Sequence, residues 1–228
     1  MPEEIYRDPE TYVERRYSSA GGKKVLERQN HNFEEMLEGL GAQQGDKILE
    51  LGSGPALLSE YLDDYENFAA DIEQEPLQAA VANNRVEDAV RVDAHRLPYQ
   101  DDAFDYIVAP RLFHLVGDEE EVIDEMNRVA EEGFVFDVFS ESSARKLYNG
   151  RMADLNDDMP EGSTLHSDEE VEEWLEGLDY DVQSDFPIPF GAYRESDSEL
   201  FSGVVERVQD AFSGPLDSVV YFGAESEK

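Results

Sequence analysis

The sequence contains no cysteine, which excludes disulfides, thiolate metal sites and a cysteine nucleophile together. Lysine is nearly as scarce: 5 Lys and 13 Arg make up the 18 basic residues, against 55 acidic ones, and the net charge is −37. A surface this short of cations repels nucleic-acid phosphate, whose binding draws on Lys and Arg contacts that release counterions. No nucleic-acid partner is expected. No apolar run approaches the roughly 20 residues of a membrane helix, and the start, Met1-Pro2-Glu3-Glu4, lacks the basic and apolar regions of a signal peptide. No membrane partner is expected either, and the chain reads as cytoplasmic. Internal repeats and low-complexity tracts are absent too.

What is present is enough apolar material for a core. Hydrophobic residues make up 40% of 228, so the acidity coats a folded body, and the length suits one domain with room for a small cap. A body of this mass exposes on the order of 10,000 Å², which sets neighbouring net charges roughly 15 to 20 Å apart. The Debye length, about 10 Å at 0.1 M salt and about 3 Å at 1 M, decides how strongly they repel. The composition looks like that of a protein from the salt-loaded cytoplasm of a halophile.

The stretch Lys47–Leu62 organises the rest. An apolar strand, Ile48 to Leu51, breaks at Gly52-Ser53-Gly54-Pro55, and Ala56, Leu57, Leu58, Tyr61 and Leu62 continue with helical spacing. Glycine at 52 and 54 lets the backbone turn sharply and approach a ligand closely. A loop of this kind at a helix start presents N–H groups to a carboxylate or another anion. The dinucleotide fingerprint G-x-G-x-x-G requires glycine at 57, where the chain has Leu57, which disfavours a nicotinamide cofactor.

Around this loop the sequence alternates strands and helices. Lys23 to Leu40 reads as an amphipathic helix stopped by Gly41. Asn67 to Ala70 is a strand ending at Asp71, and a helix follows Pro76. Asp71 lies 21 residues after Glu50; in a doubly wound sheet an acid there sits beside the glycine loop and can bond both ribose hydroxyls of a nucleoside. Further strands are expected at Ala89–Val92, Asp105–Ala109, Phe134–Phe139, Asp181–Pro187 and Ser218–Gly223. Helices are expected at Glu119–Ala130, after the capping-box pattern Ser167-Asp168-Glu169-Glu170, and at Leu200–Phe212.

Glu50-Leu51-Gly52-Ser53-Gly54-Pro55-Ala56 resembles the E/D-x-G-x-G-x-G loop of class I S-adenosylmethionine-dependent methyltransferases, with Ala56 for the last glycine. The resemblance becomes specific at Asp93-Ala94-His95-Arg96-Leu97-Pro98-Tyr99-Gln100-Asp101-Asp102-Ala103-Phe104-Asp105, which is similar to that family's D-A-x-x-L-P-F-x-D-x-S-F-D signature. It covers Lys47 to Ser140 in family order and points to the small-molecule, quinone-biosynthesis-like type. It implies an α/β fold, a doubly wound and mainly parallel seven-stranded sheet with helices on both faces and an antiparallel last strand. The implied cofactor is S-adenosyl-L-methionine, held by Glu50, Gly52, Ser53, Gly54, Asp71, Ile72, Asp93, Ala94 and Pro110, with Asp93 and Ala94 facing the adenine ring. The Asp/Asn-Pro-Pro-Tyr loop of amino-methylating DNA enzymes is missing: the segment reads Pro110-Arg111-Leu112-Phe113-His114. His114 stands where small-molecule relatives carry a histidine, and reads as a general base or as support for the next helix.

Residues 1–41 read as an N-terminal helical cap and 42–228 as the cofactor-binding domain, with a lid insertion at 141–166. Tyr6, Tyr12, Arg16 and Tyr17 either fold over the pocket or form a loosely packed arm. The expected activity is methyl transfer to an unidentified small-molecule acceptor. The alternatives are a non-catalytic S-adenosylmethionine-binding or regulatory protein and, more weakly, a nucleotide-dependent oxidoreductase.

Overall fold

A computed structural model describes residues 9–141, 164–185, 198 and 219–226. The expected helix at 200–212, most of the 141–166 insertion, Tyr6 and the end of the strand expected over 181–187 lie outside the described residues. The elements, in order, are α1 (Pro9–Tyr17), α2 (Ala20–Gly39), β1 (Lys47–Leu51), β2 (Glu66–Asp71), α3 (Gln74–Ala82), β3 (Asp88–Arg91), β4 (Phe104–Ala109), α4 (Glu119–Val129), β5 (Ala130–Phe139), α5 (Asp168–Trp174), β6 (Tyr180–Asp185) and β7 (Val219–Glu225).

The seven strands form one sheet in the order β3-β2-β1-β4-β5-β7-β6. Strands β1 to β5 pair in parallel, and β7 runs antiparallel to both β5 and β6. The two-residue period of a strand sends alternate side chains to opposite faces. Ile48, Val108, Val135 and Tyr221 meet Val25, Phe33, Met36 and Leu37 of α2 on one face. Leu49, Leu51, Ile107, Phe134 and Phe136 meet Val122, Ile123, Met126 and Val129 of α4 on the other. Phe104 joins the α4 face although it has the same parity as Tyr106 and Val108; the register shifts between Phe104 and Tyr106, and the irregularity reverses its side. On burial alone, each fully covered large apolar side chain contributes about 1.5–3 kcal/mol, so the two helix faces dominate the stability of the sheet.

Local signals set the boundaries. Ser19 caps α2 by accepting from the Gly22 N–H at 2.9 Å. The capping box expected at Ser167 is present in full: Ser167 N–H donates to Glu170 Oε2 at 2.8 Å, and Glu170 N–H donates to Ser167 Oγ at 3.3 Å. Strand β5 begins at Ala130, four residues before the sequence expectation of Phe134.

The helix expected over 56–62 is replaced by turns. Its opening bond would run from the Ser59 N–H to the Pro55 carbonyl, and both ends are diverted. Ser59 N–H donates to Glu50 Oε2 at 3.2 Å, while the Pro55 carbonyl accepts from Arg85 Nη1 at 3.1 Å. Gly54 and Ala56 also sit in the left-handed region, at φ +52° and +54°, which a right-handed helix cannot use. Leu57, Leu58 and Leu62 are buried all the same; the apolar pattern was a signal of burial, and the helix did not follow from it.

Candidate functional site

The C-terminal ends of β1, β2 and β4 and the segment after β3 border a cavity of about 480 Å³, closed on one side by residues of α1 and α2. All ten residues singled out in the sequence line it: Glu50, Gly52, Ser53, Gly54, Asp71, Ile72, Asp93, Ala94, Pro110 and His114.

At the end of β1 the chain turns at Gly52. Its φ is +69°, and a Cβ there would come within 2.8 Å of Leu112 Cδ1, so glycine is required twice over. The N–H groups of Gly52 and Ser53 both donate to the Ala70 carbonyl, at 2.8 and 3.1 Å, which pins the loop to β2. The Gly54 N–H donates to Asp71 Oδ2 at 2.7 Å, and the Glu73 N–H donates to Asp71 Oδ1 at 2.8 Å. The Ala56 N–H donates to the Ser53 carbonyl at 2.9 Å. The expectation that this loop offers its N–H groups to an anion is therefore corrected: all four donors are spent inside the protein. What the loop offers is space, since a Cβ built on Gly54 would meet nothing within 4 Å.

The charges at this end are negative. Glu50, Asp71, Glu73 and Asp93 all line the cavity. Glu50 is 2% exposed; burial pushes its carboxyl up to about 7, against the hydrogen bonds from Ser59 Oγ at 2.6 Å and Ser59 N–H. Burial likewise raises the Asp71 carboxyl above its usual range, opposed by the N–H groups of Glu73 and Gly54. Asp93 lies nearer solvent. Its Oδ1 accepts from the His95 N–H at 3.1 Å and meets His95 Nδ1 at 2.7 Å. The His95 hydrogen bond holds the Asp93 carboxyl below the usual range. The other ring nitrogen, Nε2, lies 2.6 Å from the Gly117 carbonyl, which with Asp93 raises the His95 pKa. Ile72 and Leu115, 59% and 50% exposed, put apolar surface at the rim.

On the far side of β4 the chemistry changes. Arg111 follows the strand in the left-handed region at φ +58°. Its N–H donates to Asp137 Oδ1 at 2.5 Å, and its Nε stands 3.3 Å from Asp137 Oδ2. The guanidinium lies over Phe139, 5.3 Å from the ring centroid. His114 is 6% exposed and packs edge-on against Phe139 at 4.9 Å. Tyr12 and Tyr17 lie near Arg111, and Arg16, Gln29 and Asn30 line the same cavity. Sequence reasoning missed Gln29, Asn30, Leu115 and His95. A usable signal existed for Gln29: it is a polar residue midway between Val25 and Phe33 on the buried stripe of α2.

Comparison with known proteins agrees with this geometry. Residues 49–136 match the family model described as a methyltransferase domain. No curated protein shows significant sequence similarity to the chain. The putative methyltransferase of Haloferax volcanii, solved in complex with the Trm112 methyltransferase activator, is 20% identical, with a TM-score of 0.63 over 90% of this chain and 93% of that one. A Thermotoga maritima S-adenosylmethionine-dependent methyltransferase, described as a possible histamine N-methyltransferase, is 15% identical, with a TM-score of 0.66 over 98% and 99% of the two chains. The magnesium protoporphyrin IX methyltransferase of Synechocystis PCC 6803, solved with bound S-adenosylhomocysteine, is 11% identical, with a TM-score of 0.61 over 91% and 84%. At these identities the neighbours establish the fold, and the sequence match names the domain. Residues 49–136 are thus similar to a methyltransferase domain, and the chain shares the fold of the S-adenosylmethionine-dependent methyltransferases it resembles.

Proposed function

We propose that the protein transfers the methyl group of S-adenosylmethionine to a small-molecule acceptor bound in the same cavity. The observation that carries this reading is the convergence of the β1, β2 and β4 ends and the Asp93–Ala94 segment on one cavity large enough for two small ligands in contact. Its acidic end fits the cofactor. Open space at Gly54 leaves room for the ligand against the loop, and the carboxylates of Asp71 and Asp93, with the buried Glu50 carboxyl beside them, suit a cationic molecule with hydroxyl and amine donors. In this reading Asp71 accepts from the ribose hydroxyls. Asp93 and the Ala94 N–H face the adenine, Ile72 packs on it, and Gly52, Ser53 and Pro110 shape the walls.

Bound there, S-adenosylmethionine supplies an electrophilic methyl on a sulfonium. The acceptor atom forms its bond to the methyl carbon as the carbon–sulfur bond breaks, with the electron pair leaving on sulfur. Alignment is the main requirement, worth up to about 7–11 kcal/mol when two reactants are held in line. An acceptor that must shed a proton finds His114 in the cavity wall, where a neutral imidazole takes it. Incubation with methyl-labelled S-adenosylmethionine and a small-molecule extract of the source cells should give a labelled low-mass product. Cofactor binding without transfer would leave a binding or regulatory protein instead.

The net charge of −37 further supports work in concentrated salt. On dialysis from about 2 M to about 0.1 M KCl, far-UV circular dichroism should show loss of structure. An unchanged spectrum would refute this.

A further inference from the structure

The cavity lining holds buried polar atoms that lack a hydrogen-bond partner among the described residues. Gln29 and Asn30 of α2 are 4% and 2% exposed, yet Gln29 Oε1 and Asn30 Nδ2 make no hydrogen bond there. The same holds for Nε and Nη2 of Arg111, since Asp137 Oδ2 lies within ion-pair distance of Nε but out of hydrogen-bond alignment. Buried polar groups in folded proteins almost always find partners. Three residues failing to do so around one cavity indicate partners that arrive with a ligand.

The atoms describe that ligand. Three of the four are donors, and two belong to a guanidinium, whose planar fork matches a carboxylate. Asp137 already offsets part of the Arg111 charge, so a doubly charged phosphate would bury uncompensated negative charge where a single carboxylate would not. Arg16, with its Cζ 5.5 Å from the Tyr12 ring centroid, is a second cation in the cavity lining. The acidic residues of the cavity, Glu50, Asp71, Glu73 and Asp93, stand at or after the ends of β1, β2 and β3, whereas Arg111 follows β4.

We propose that the methyl acceptor is a small molecule bearing a carboxylate, anchored by Arg111 and Asn30, with a further polar group of the same molecule donating to Gln29 Oε1. The carboxylate is the handle, and the methyl goes to another atom. This rests on the reading that the acidic end holds S-adenosylmethionine.

The test uses the full-length protein, methyl-labelled S-adenosylmethionine and the small-molecule extract. Carbodiimide coupling of the products to an amine resin captures carboxylates whatever their net charge, and the label should be captured. Arg111 variants risk misfolding because of the Asp137 pair, so the discriminating variants are the near-isosteric Asn30→Asp and Gln29→Glu, with folding checked by circular dichroism. Each places a negative charge beside the handle. Transfer should fall by at least ~10-fold, while the calorimetric Kd for S-adenosylmethionine moves by less than about threefold. Labelled product that escapes capture, or transfer that is unchanged or raised in Asn30→Asp, overturns the carboxylate handle and leaves methyl transfer standing. Bound cofactor with no label in any small molecule overturns methyl transfer itself, and the handle with it.

Discussion

The two ends of the cavity are built on different terms. At the β1–β2 end the N–H donors of the loop and its neighbours are satisfied within the protein: Gly52 and Ser53 on Ala70, Gly54 and Glu73 on Asp71, and Ser59 on Glu50. Elsewhere in the cavity lining, side-chain atoms of Gln29, Asn30 and Arg111 have no hydrogen-bond partner among the described residues. The first end is held by backbone at strand termini, which fixes its shape whatever the side chains do. The second is assembled from side chains of a helix and a loop, and depends on its occupant for completion. Pre-organisation lowers the ordering cost of binding, so the first end suits a ligand common to a whole fold and the second a ligand particular to this chain.

That comparison can be broken most directly at Asp71. If Asp71 accepts from the ribose as proposed, Asp71→Ala should weaken S-adenosylmethionine binding by roughly 10- to 1,000-fold. It also strips the Gly54 and Glu73 N–H groups of their acceptor, for a stability loss of about 1–3 kcal/mol. Asp88→Ala is the control, because Asp88 is exposed and its side chain accepts from the neighbouring Ala89 N–H, away from the cavity lining. Equal calorimetric affinities for the two variants would mean that the satisfied end is not the cofactor end.

A smaller effect sharpens the role of Glu50. Its folded-state pKa is raised from 4.5 to about 7, so its contribution to stability is fully present below pH 4.5 and is lost as pH rises through 7. Glu50→Gln keeps an acceptor for Ser59 and cannot ionise. Urea unfolding should give near-equal stabilities at pH 4.5 and an advantage to the variant of up to about 2–3 kcal/mol at about pH 8. Parallel curves across that range would show that Glu50 remains ionised and solvated.

The smallest expected effect lies at His95. Its ring nitrogens meet a carboxylate and a carbonyl, both acceptors, and only the imidazolium donates to both. Asp93 and Glu121 supply the surrounding negative charge. The raised pKa means that both bonds persist below the ordinary histidine range and one is lost as pH rises through the shifted value. Affinity for S-adenosylmethionine should then fall by about 3- to 10-fold toward alkaline pH, and His95→Gln should flatten that profile. A profile unchanged by the substitution would detach His95 from the adenine side.

The sheet was legible because its signals are local and redundant. Short apolar runs ended at Asp71, at Asp93 and at Pro110 in the places where strands stop, and Ser167 with Glu170 announced a helix start that is present in atomic detail. After Gly54 the apolar spacing suggests a helix, but the bonds that would open it are claimed by the buried Glu50 carboxylate and by Arg85, 30 residues from Pro55. Asn30 and Leu115 were invisible for a related reason: each gains its meaning from a wall contributed by another element. Site residues that sit on motifs can be read along the chain, and those brought together by packing cannot.

The position of β7 has a consequence for the order in which the molecule assembles. Among the described residues β6 reaches the rest of the sheet through β7, which follows it in the chain, and β7 pairs with β5 across a long intervening stretch. Closing so distant a pair costs chain entropy before any contact repays it, which makes this pairing a late event in folding. In that register Tyr221 comes to rest beside Asp137, the partner of Arg111. A chain arrested before this step would already have the β1–β2 loop and its carboxylates in place, while the backing of Arg111 would still be missing.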